Sequence, residues 1–134
     1  MPSVRHRYLC CLATLVLLGA CSREPPPPPT PSAEEGLKEM AKVYQYIEYS
    51  KLALPQKAED FRDYWDSMQA SFDRVQQGDF VVAWGVGRST AAGPGSQILV
   101  YEKKAPTDGG WVLLRNGTVK QMADTEFAAA PKAK

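Results

Sequence analysis

Histidine and cysteine are scarce in this 134-residue chain, and its charges nearly balance. The single histidine is His6, and the three cysteines are Cys10, Cys11 and Cys21, so all four lie near the start of the chain. The rest of the chain has no imidazole for acid–base chemistry and no pair of thiols for an internal disulfide. A formal net charge of +1 produces no strong field, which argues against a nucleic-acid partner.

The first twenty residues have the composition of a signal peptide. Arg5 and Arg7 precede an apolar run from Tyr8 to Leu18, and two small residues follow that run. Its eleven residues are too few for a membrane-spanning helix, which needs about twenty. We therefore expect residues 1–20 to be removed, which leaves 14 basic and 15 acidic side chains and a single cysteine.

The apolar run ends in the tetrapeptide Leu18-Gly19-Ala20-Cys21. This motif closely resembles the lipobox of bacterial lipoproteins, in which the thiol receives a diacylglyceryl group and a dedicated signal peptidase cuts before the cysteine. The resemblance implies that Cys21 is lipidated and anchors a periplasm-facing domain in the cell envelope. The next residue, Ser22, is not the aspartate associated with inner-membrane retention, so the outer membrane is favoured over the inner. The alternative is an ordinary secretory cleavage site after Ala20.

Residues 21–33 are interpreted as the lipidated cysteine followed by a proline-rich stalk. Pro25 to Pro29 are consecutive prolines, which favour an extended polyproline II conformation. Such a stalk would hold the domain about 25 Å from the membrane. A polyproline ligand for a partner is the alternative, although Arg23 is its only basic flanking residue.

We expect residues 34–127 to form a single globular domain that begins with helices. Ser32 and Glu35 have the spacing of a capping box, which predicts a helix start. Apolar residues at helical spacing predict that this helix faces a core and ends before Pro55; they are Leu37, Met40, Tyr44 and Ile47. A second set of apolar residues at helical spacing predicts another helix, which ends at Gly78. The residues of this set are Phe61, Trp65, Met68, Phe72 and Val75.

The composition after residue 78 is typical of β-structure. Runs at Phe80–Trp84 and Ile98–Tyr101 predict two strands joined by a glycine-rich loop. Two further runs, residues 111–114 and 118–122, flank Asn116-Gly117, a strong hairpin signal. The predicted class is α+β, with one or two N-terminal helices packed on an antiparallel meander of three to four strands. A short helix from Asp124 or Thr125 and a flexible tail over residues 128–134 complete the prediction.

From residue 78 onward, the chain combines the segments GDFVVAWG, LVYEKKAP and GGWVLLRNGTVK. This combination resembles an uncharacterised group of small bacterial envelope lipoproteins, some of which are similar to the globular part of pseudopilins. The resemblance implies helices followed by a β-meander. Pseudopilins also have a long apolar assembly helix, whereas this chain has a lipobox and a proline stalk, so the resemblance does not imply polymerisation.

The aromatic residues of the predicted strands are the main candidates for a binding surface. Trp84, Tyr101 and Trp111 all lie in β-runs, where burial on a sheet face explains them. The alternative is a surface aromatic patch made of these three rings. Such a patch would suit a protein partner, a small ligand or a carbohydrate.

The sequence has no recognisable catalytic set. Four acidic residues crowd the predicted second helix, where a solvated face is favoured over a cation site: Glu59, Asp60, Asp63 and Asp66. The glycines at 85, 87, 93 and 95 do not have phosphate-loop order, which favours a flexible loop. Ser89 and Ser96 have no histidine as a base.

These patterns predict a non-catalytic lipoprotein domain that binds or scaffolds another envelope protein. We expect no cofactor, no metal and no nucleic-acid partner. The alternatives are a small-ligand or carbohydrate-binding module that uses the aromatic residues, or a small hydrolase that uses the acidic helix.

Overall fold

The computed structural model describes residues 31–134, so the predicted leader, Cys21 and most of the stalk lie outside the described residues. The elements follow in the order α1 (Ala33–Tyr49), a long 3₁₀ helix (Ala58–Ser67), α2 (Phe72–Gln77), β1 (Phe80–Val82), a 3₁₀ turn (Pro94–Ser96), β2 (Ile98–Glu102), α3 (Ala105–Asp108), β3 (Gly110–Leu114), β4 (Val119–Met122) and α4 (Asp124–Ala129). The predicted α+β class is confirmed.

α1 begins at the predicted capping box. The Ser32 amide donates to Glu35 Oε2 at 2.8 Å, and the Glu35 amide donates to Ser32 Oγ at 3.2 Å. The predicted apolar stripe is buried: Leu37, Met40, Tyr44 and Ile47. At Gly36 the helix approaches β1 closely, since a Cβ there would lie 3.0 Å from the Phe80 ring. The start of α1 is therefore determined locally, and its position depends on close contact with the sheet.

The predicted second helix is wrong as one continuous α-helix. The segment divides into the long 3₁₀ helix, a turn over residues 68–71, and α2. Glu39 of α1 holds this turn, because its Oε2 accepts hydrogen bonds from the Ala70 amide at 2.9 Å and the Ser71 hydroxyl at 3.3 Å. With three residues per 3₁₀ turn, Trp65 is rotated away from the core and is 44% exposed. The predicted end at Gly78 is confirmed by a φ of 78°.

The four strands form an antiparallel meander in the order β1-β2-β3-β4, as predicted. β1 is shorter than expected and ends at Val82. Trp84 follows it in a turn, where the Gly85 amide donates to the Pro55 carbonyl at 2.8 Å. The expected continuation of the strand to Trp84 is therefore wrong, because the chain turns back toward the segment that precedes the 3₁₀ helix.

The predicted hairpin at Asn116-Gly117 is confirmed as the connection between β3 and β4. Only Gly117 has a positive φ, at 91°, and its amide donates to the Leu114 carbonyl at 2.9 Å. Asn116 contributes through its side chain, since Oδ1 accepts from the Thr118 amide at 2.9 Å. The turn therefore has one residue of positive φ, Gly117, whereas the Asn-Gly pattern is compatible with positive φ at both residues.

Both faces of the sheet are covered. On one face, α1 packs over side chains of the central strands, including Val100 and Leu113. On the other face, Phe127 of α4 and Ala105 of α3 join a second apolar cluster with Val112. α3 and α4 therefore form a third layer, in addition to the N-terminal helical layer that the sequence predicted.

The expected flexible tail over residues 128–134 is wrong for residues 128–133. α4 continues to Ala129, and the chain then pairs with Ile98 in a parallel bridge. The Ile98 amide donates to the Pro131 carbonyl at 2.8 Å, and the Ala133 amide donates to the Ile98 carbonyl at 2.9 Å. Because β1 ends at Val82, this end of β2 is open to pairing, and the tail occupies it.

Candidate functional site

A groove lies between α1 and the long 3₁₀ helix. Its volume is about 930 Å³, and we call it the α1 groove. The lining residues are Glu39, Lys42, Val43, Tyr46, Leu52, Asp63, Tyr64, Asp66 and Ser67. Three segments of the chain meet here, namely the outer side of α1, the chain just after it, and one side of the 3₁₀ helix.

Exposed apolar groups form one end of the α1 groove. Tyr46 is 55% exposed and Leu52 is 44% exposed, although both are large apolar side chains. The Tyr46 and Tyr64 rings meet edge to face, with centroids 6.2 Å apart and planes at 71°. Tyr46 lies off the buried stripe of α1, so packing against the sheet does not explain it. The groove therefore presents ring and aliphatic surface to solvent.

The acidic groups of the groove arise from the winding of the 3₁₀ helix. Side chains three residues apart lie above one another in such a helix, so Asp60, Asp63 and Asp66 form one row. Asp60 accepts a hydrogen bond from the Gln56 amide at 2.8 Å, which ties the start of the helix to the preceding chain. Within residues 31–134, neither Asp63 nor Asp66 takes part in an ion pair. Both carboxylates are exposed at the groove.

The surroundings of the groove also act on Tyr64. Its pKa is raised above the ordinary value near 10.0, first by burial and then by the proximity of Tyr46 and the Asp63 carboxylate. An ionised Tyr64 would add negative charge beside Asp63, which opposes loss of the proton. Tyr64 is therefore a neutral hydroxyl at neutral pH.

The lining of the α1 groove has a net negative charge. It contains the carboxylates of Glu39, Asp63 and Asp66 and the amine of Lys42, which leaves an excess of two negative charges.

The α1 groove continues along the helix into a second depression of about 600 Å³. Both depressions share Glu39 and Lys42, and the second extends past Glu35 to Pro31. From Glu35 to Tyr46 the helix advances by eleven residue steps, which rise by about 16 Å at 1.5 Å per step. Together the two depressions form a trough long enough for about five residues of extended chain.

The three predicted aromatic residues do not form one patch. Tyr101 lies opposite Val112 in the sheet and packs against Phe127, with ring centroids 4.8 Å apart. Residues adjacent along a strand point to opposite faces, so Trp111 lies on the other face, where it packs against the main core. Trp84 is 39% exposed and lies elsewhere, beside Phe61 at the end of β1. Their placement supports core packing for Tyr101 and Trp111, which are both partly buried.

The other chemical candidates are held by local bonds. Within residues 31–134, no three acidic or other metal-ligating side chains come together as a cation site. Ser96 Oγ donates to the Gly93 carbonyl, and Ser89 Oγ accepts from the Ala91 amide, so both hydroxyls stabilise their own loop. That loop is tied to the β3–β4 connection, because the Ser89 amide donates to the Arg115 carbonyl. The glycine-rich segment is thus an anchored loop in this structure.

Sequence reasoning singled out Asp63 and Asp66 but missed their neighbours Tyr46 and Leu52. The available signal was positional, since Tyr46 interrupts the polar side of α1 two residues after the buried Tyr44. Tyr64 was equally hidden, because an α-helical repeat groups it differently from a 3₁₀ repeat. The groove depends on the 3₁₀ winding and on the packing of α1, neither of which the local sequence pattern specifies.

Comparisons with known proteins give no relative for this chain. No protein-family model matches it, and no curated protein or solved structure is significantly similar to it. No helix within residues 31–134 has the length and apolar character needed to cross a membrane. The α1 groove and the motifs of the sequence are therefore the features that bear on the role of the domain.

Proposed function

We propose that this chain is a lipid-anchored protein of the bacterial envelope whose single domain binds another envelope protein and has no catalytic role. The α1 groove is the observation that carries the binding role. Its exposed apolar side chains, Tyr46 and Leu52, lie beside the carboxylates of Asp63 and Asp66. Exposed apolar groups bordered by charge are typical of surfaces that bind partners.

The membrane anchor in this proposal is Cys21, and the support for it is the Leu18-Gly19-Ala20-Cys21 motif. Stable attachment to a bilayer needs two or more acyl chains, which a lipidated cysteine of this class would carry as diacylglycerol and, where added, palmitate. The proline-rich stretch would then separate the domain from the bilayer. Ser22 directs our proposal toward the outer membrane.

The anchor is tested by growing cells with an alkyne-tagged palmitate and measuring the label on the chain. We expect labelling of the wild type and none of Cys21→Ala. The matched controls are Cys10→Ala and Cys11→Ala, which should keep the label because both cysteines precede the cleavage site. An unlabelled wild type with a free amino terminus would end the lipoprotein proposal.

The binding role is tested by photo-crosslinking in living cells. A photoreactive amino acid at Tyr46 should give a discrete adduct with an envelope protein, because this side chain is 55% exposed in the groove. The same amino acid at Asp108, an exposed residue of α3, is the control and should give none. Equal adducts from both positions, or none from either, would contradict the proposal that the α1 groove binds an envelope protein in the cell.

A further inference from the structure

The α1 groove places negative charge beside exposed aromatic surface. Asp63 and Asp66 contribute carboxylates without ion-pair partners within residues 31–134. Directly beside them, the rings of Tyr46 and Tyr64 form an edge-to-face pair. A ligand suited to this groove must complement both the negative charge and the aromatic surface.

Lysine and arginine side chains meet both requirements. Each has an apolar stem that packs along rings or aliphatic groups and a cationic head that pairs with carboxylates. A cation over a tyrosine face gains additional electrostatic attraction. The aliphatic group of Leu52, which is 44% exposed, offers contact for an apolar neighbour of such a residue.

We propose that the α1 groove binds a short extended peptide segment of its partner that alternates basic and apolar side chains, an inference that rests on the function proposed above. The trough along α1 is about 16 Å long, which fits about five extended residues. Toward Pro31 the trough is lined by the carboxylates of Glu35 and Glu39 and by the ammonium groups of Lys38 and Lys42, so the charges of this part balance. The basic side chains of the segment are therefore expected to pair with Asp63 and Asp66.

A peptide suits this lining better than a neutral or anionic envelope polysaccharide. The excess of two negative charges repels anionic polymers. A neutral sugar chain could stack on the tyrosine rings and donate hydroxyl hydrogen bonds to the carboxylates, but it carries no positive charge to balance them. The charge is therefore the feature that selects between these ligands.

The proposal is tested with the full chain, extracted from membranes in a nonionic detergent, and a defined probe. The probe is the end-blocked peptide Ala-Arg-Leu-Arg-Leu-Ala with a neutral fluorophore, and matched peptides carry glutamine or glutamate in place of arginine. Fluorescence anisotropy should show the arginine peptide binding about tenfold tighter than the glutamine peptide. Its affinity should fall as ionic strength rises, because the ion pairs are screened.

Charge variants test whether the groove itself is responsible. The pair Asp63→Asn and Asp66→Asn should weaken binding of the arginine peptide about three- to tenfold. The matched control is the pair Glu59→Gln and Asp108→Asn, which removes the same charge from exposed residues outside the groove and should change the affinity less than about twofold. Circular dichroism confirms that each variant is folded.

A variant that is expected to bind more tightly separates an effect on binding from a loss of folding. Lys42 is the only cation of the groove lining and is exposed. Lys42→Gln should therefore tighten binding of the arginine peptide about two- to threefold. Tyr46→Ala should weaken it, because the exposed ring supplies the stacking surface.

Several results would overturn the peptide proposal. These are equal affinities for the arginine and glutamine peptides, equal loss in the groove and control pairs, or self-association of the chain that Tyr46→Ala abolishes. The last result would assign the groove to a second copy.

If the probe fails while the Tyr46 crosslink to an envelope protein persists, the peptide chemistry is wrong and the proposed function stands. If the probe binds as expected and no crosslink forms, the proposed function fails and the peptide site remains.

Discussion

At the scale of single residues, the hydroxyl of Tyr44 is the most unusual group of the core. The side chain is 1% exposed, and its Oη has no hydrogen-bond partner within residues 31–134. The ring itself packs well, edge to face with Phe61 at a centroid distance of 5.9 Å. The aromatic ring therefore stabilises the fold, whereas the buried hydroxyl opposes it.

We expect Tyr44→Phe to raise the free energy of unfolding by about 1 kcal/mol at neutral pH, because it removes a desolvated group that gains no hydrogen bond. Urea denaturation followed by circular dichroism measures this change. Tyr49→Phe is the control, since Tyr49 is 86% exposed, and it should leave stability unaltered. A clear destabilisation by Tyr44→Phe would mean that the hydroxyl has a partner in solution, such as a buried water.

Tyr44 also predicts how stability depends on alkaline pH. Burial raises its pKa well above the ordinary value near 10.0, so the folded protein keeps the proton when the unfolded chain loses it. Below pH 10 both the folded and the unfolded chain keep this proton, so Tyr44 does not make the free energy of unfolding depend on pH. Above that pH only the unfolded chain loses the proton, so the free energy of unfolding falls until the pH reaches the folded-state pKa. Between about pH 9 and 11, stability should fall more steeply for the wild type than for Tyr44→Phe. Parallel slopes in urea titrations would contradict this prediction.

At the scale of secondary-structure elements, the joint between the 3₁₀ helix and α2 shows how one contact overrides a helical pattern. The apolar spacing from Phe61 to Val75 fits a single α-helix, yet the chain turns at residues 68–71. The Glu39 carboxylate satisfies the Ala70 amide and the Ser71 hydroxyl at that turn. A buried or half-buried amide must find a partner, so this acceptor makes the break favourable.

Glu39→Ala should lower the free energy of unfolding by about 1–3 kcal/mol, because it leaves the Ala70 amide without its acceptor. Glu39→Gln should recover part of the loss, since its side-chain oxygen still accepts a hydrogen bond. Gln45→Ala, at an exposed position of the same helix, is the control and should cost less than about 0.5 kcal/mol. Equal stabilities of the three variants in urea would show that the turn forms without Glu39.

At the scale of the whole molecule, the end of the described chain closes the fold. Residues 131–133 pair with Ile98, and Ala133 joins the main core at 8% exposure. The Lys132 ammonium donates to the carbonyls of Phe127 and Ala130 and lies 4.4 Å from the Phe127 ring centroid. Cations are favourable at a helix C-terminus, so Lys132 links α4 to the sheet.

Deleting residues 131–134 should lower the free energy of unfolding by about 2–3 kcal/mol, because two backbone hydrogen bonds, the Lys132 contacts and the burial of Ala133 are lost together. Thermal and urea denaturation measure the effect. Deleting only Lys134, which is exposed, is the control and should leave stability unchanged. If both deletions behave like the wild type, the pairing with Ile98 does not contribute to stability.

Local patterns predicted the regular elements well where the physical cause is itself local. The capping box at Ser32 involves residues three positions apart, and the hairpin at Gly117 depends on one glycine conformation. The candidate site was predicted only in part. Asp63 and Asp66 stood out as acidic residues, whereas Tyr46 became notable only once the side of α1 that faces the groove was known.

The sequence by itself determined the α+β class, the start of α1, the order of the strands and the position of the hairpin, since spacing and turn chemistry act over a few residues. Only the tertiary structure decided the break held by Glu39, the opposite faces of Tyr101 and Trp111, and the docking of the tail on Ile98. The Glu39 contact joins residues 31 positions apart, and the tail contact joins Ile98 to Lys132. The free energy of such contacts depends on how the elements pack together, which no short window of sequence contains.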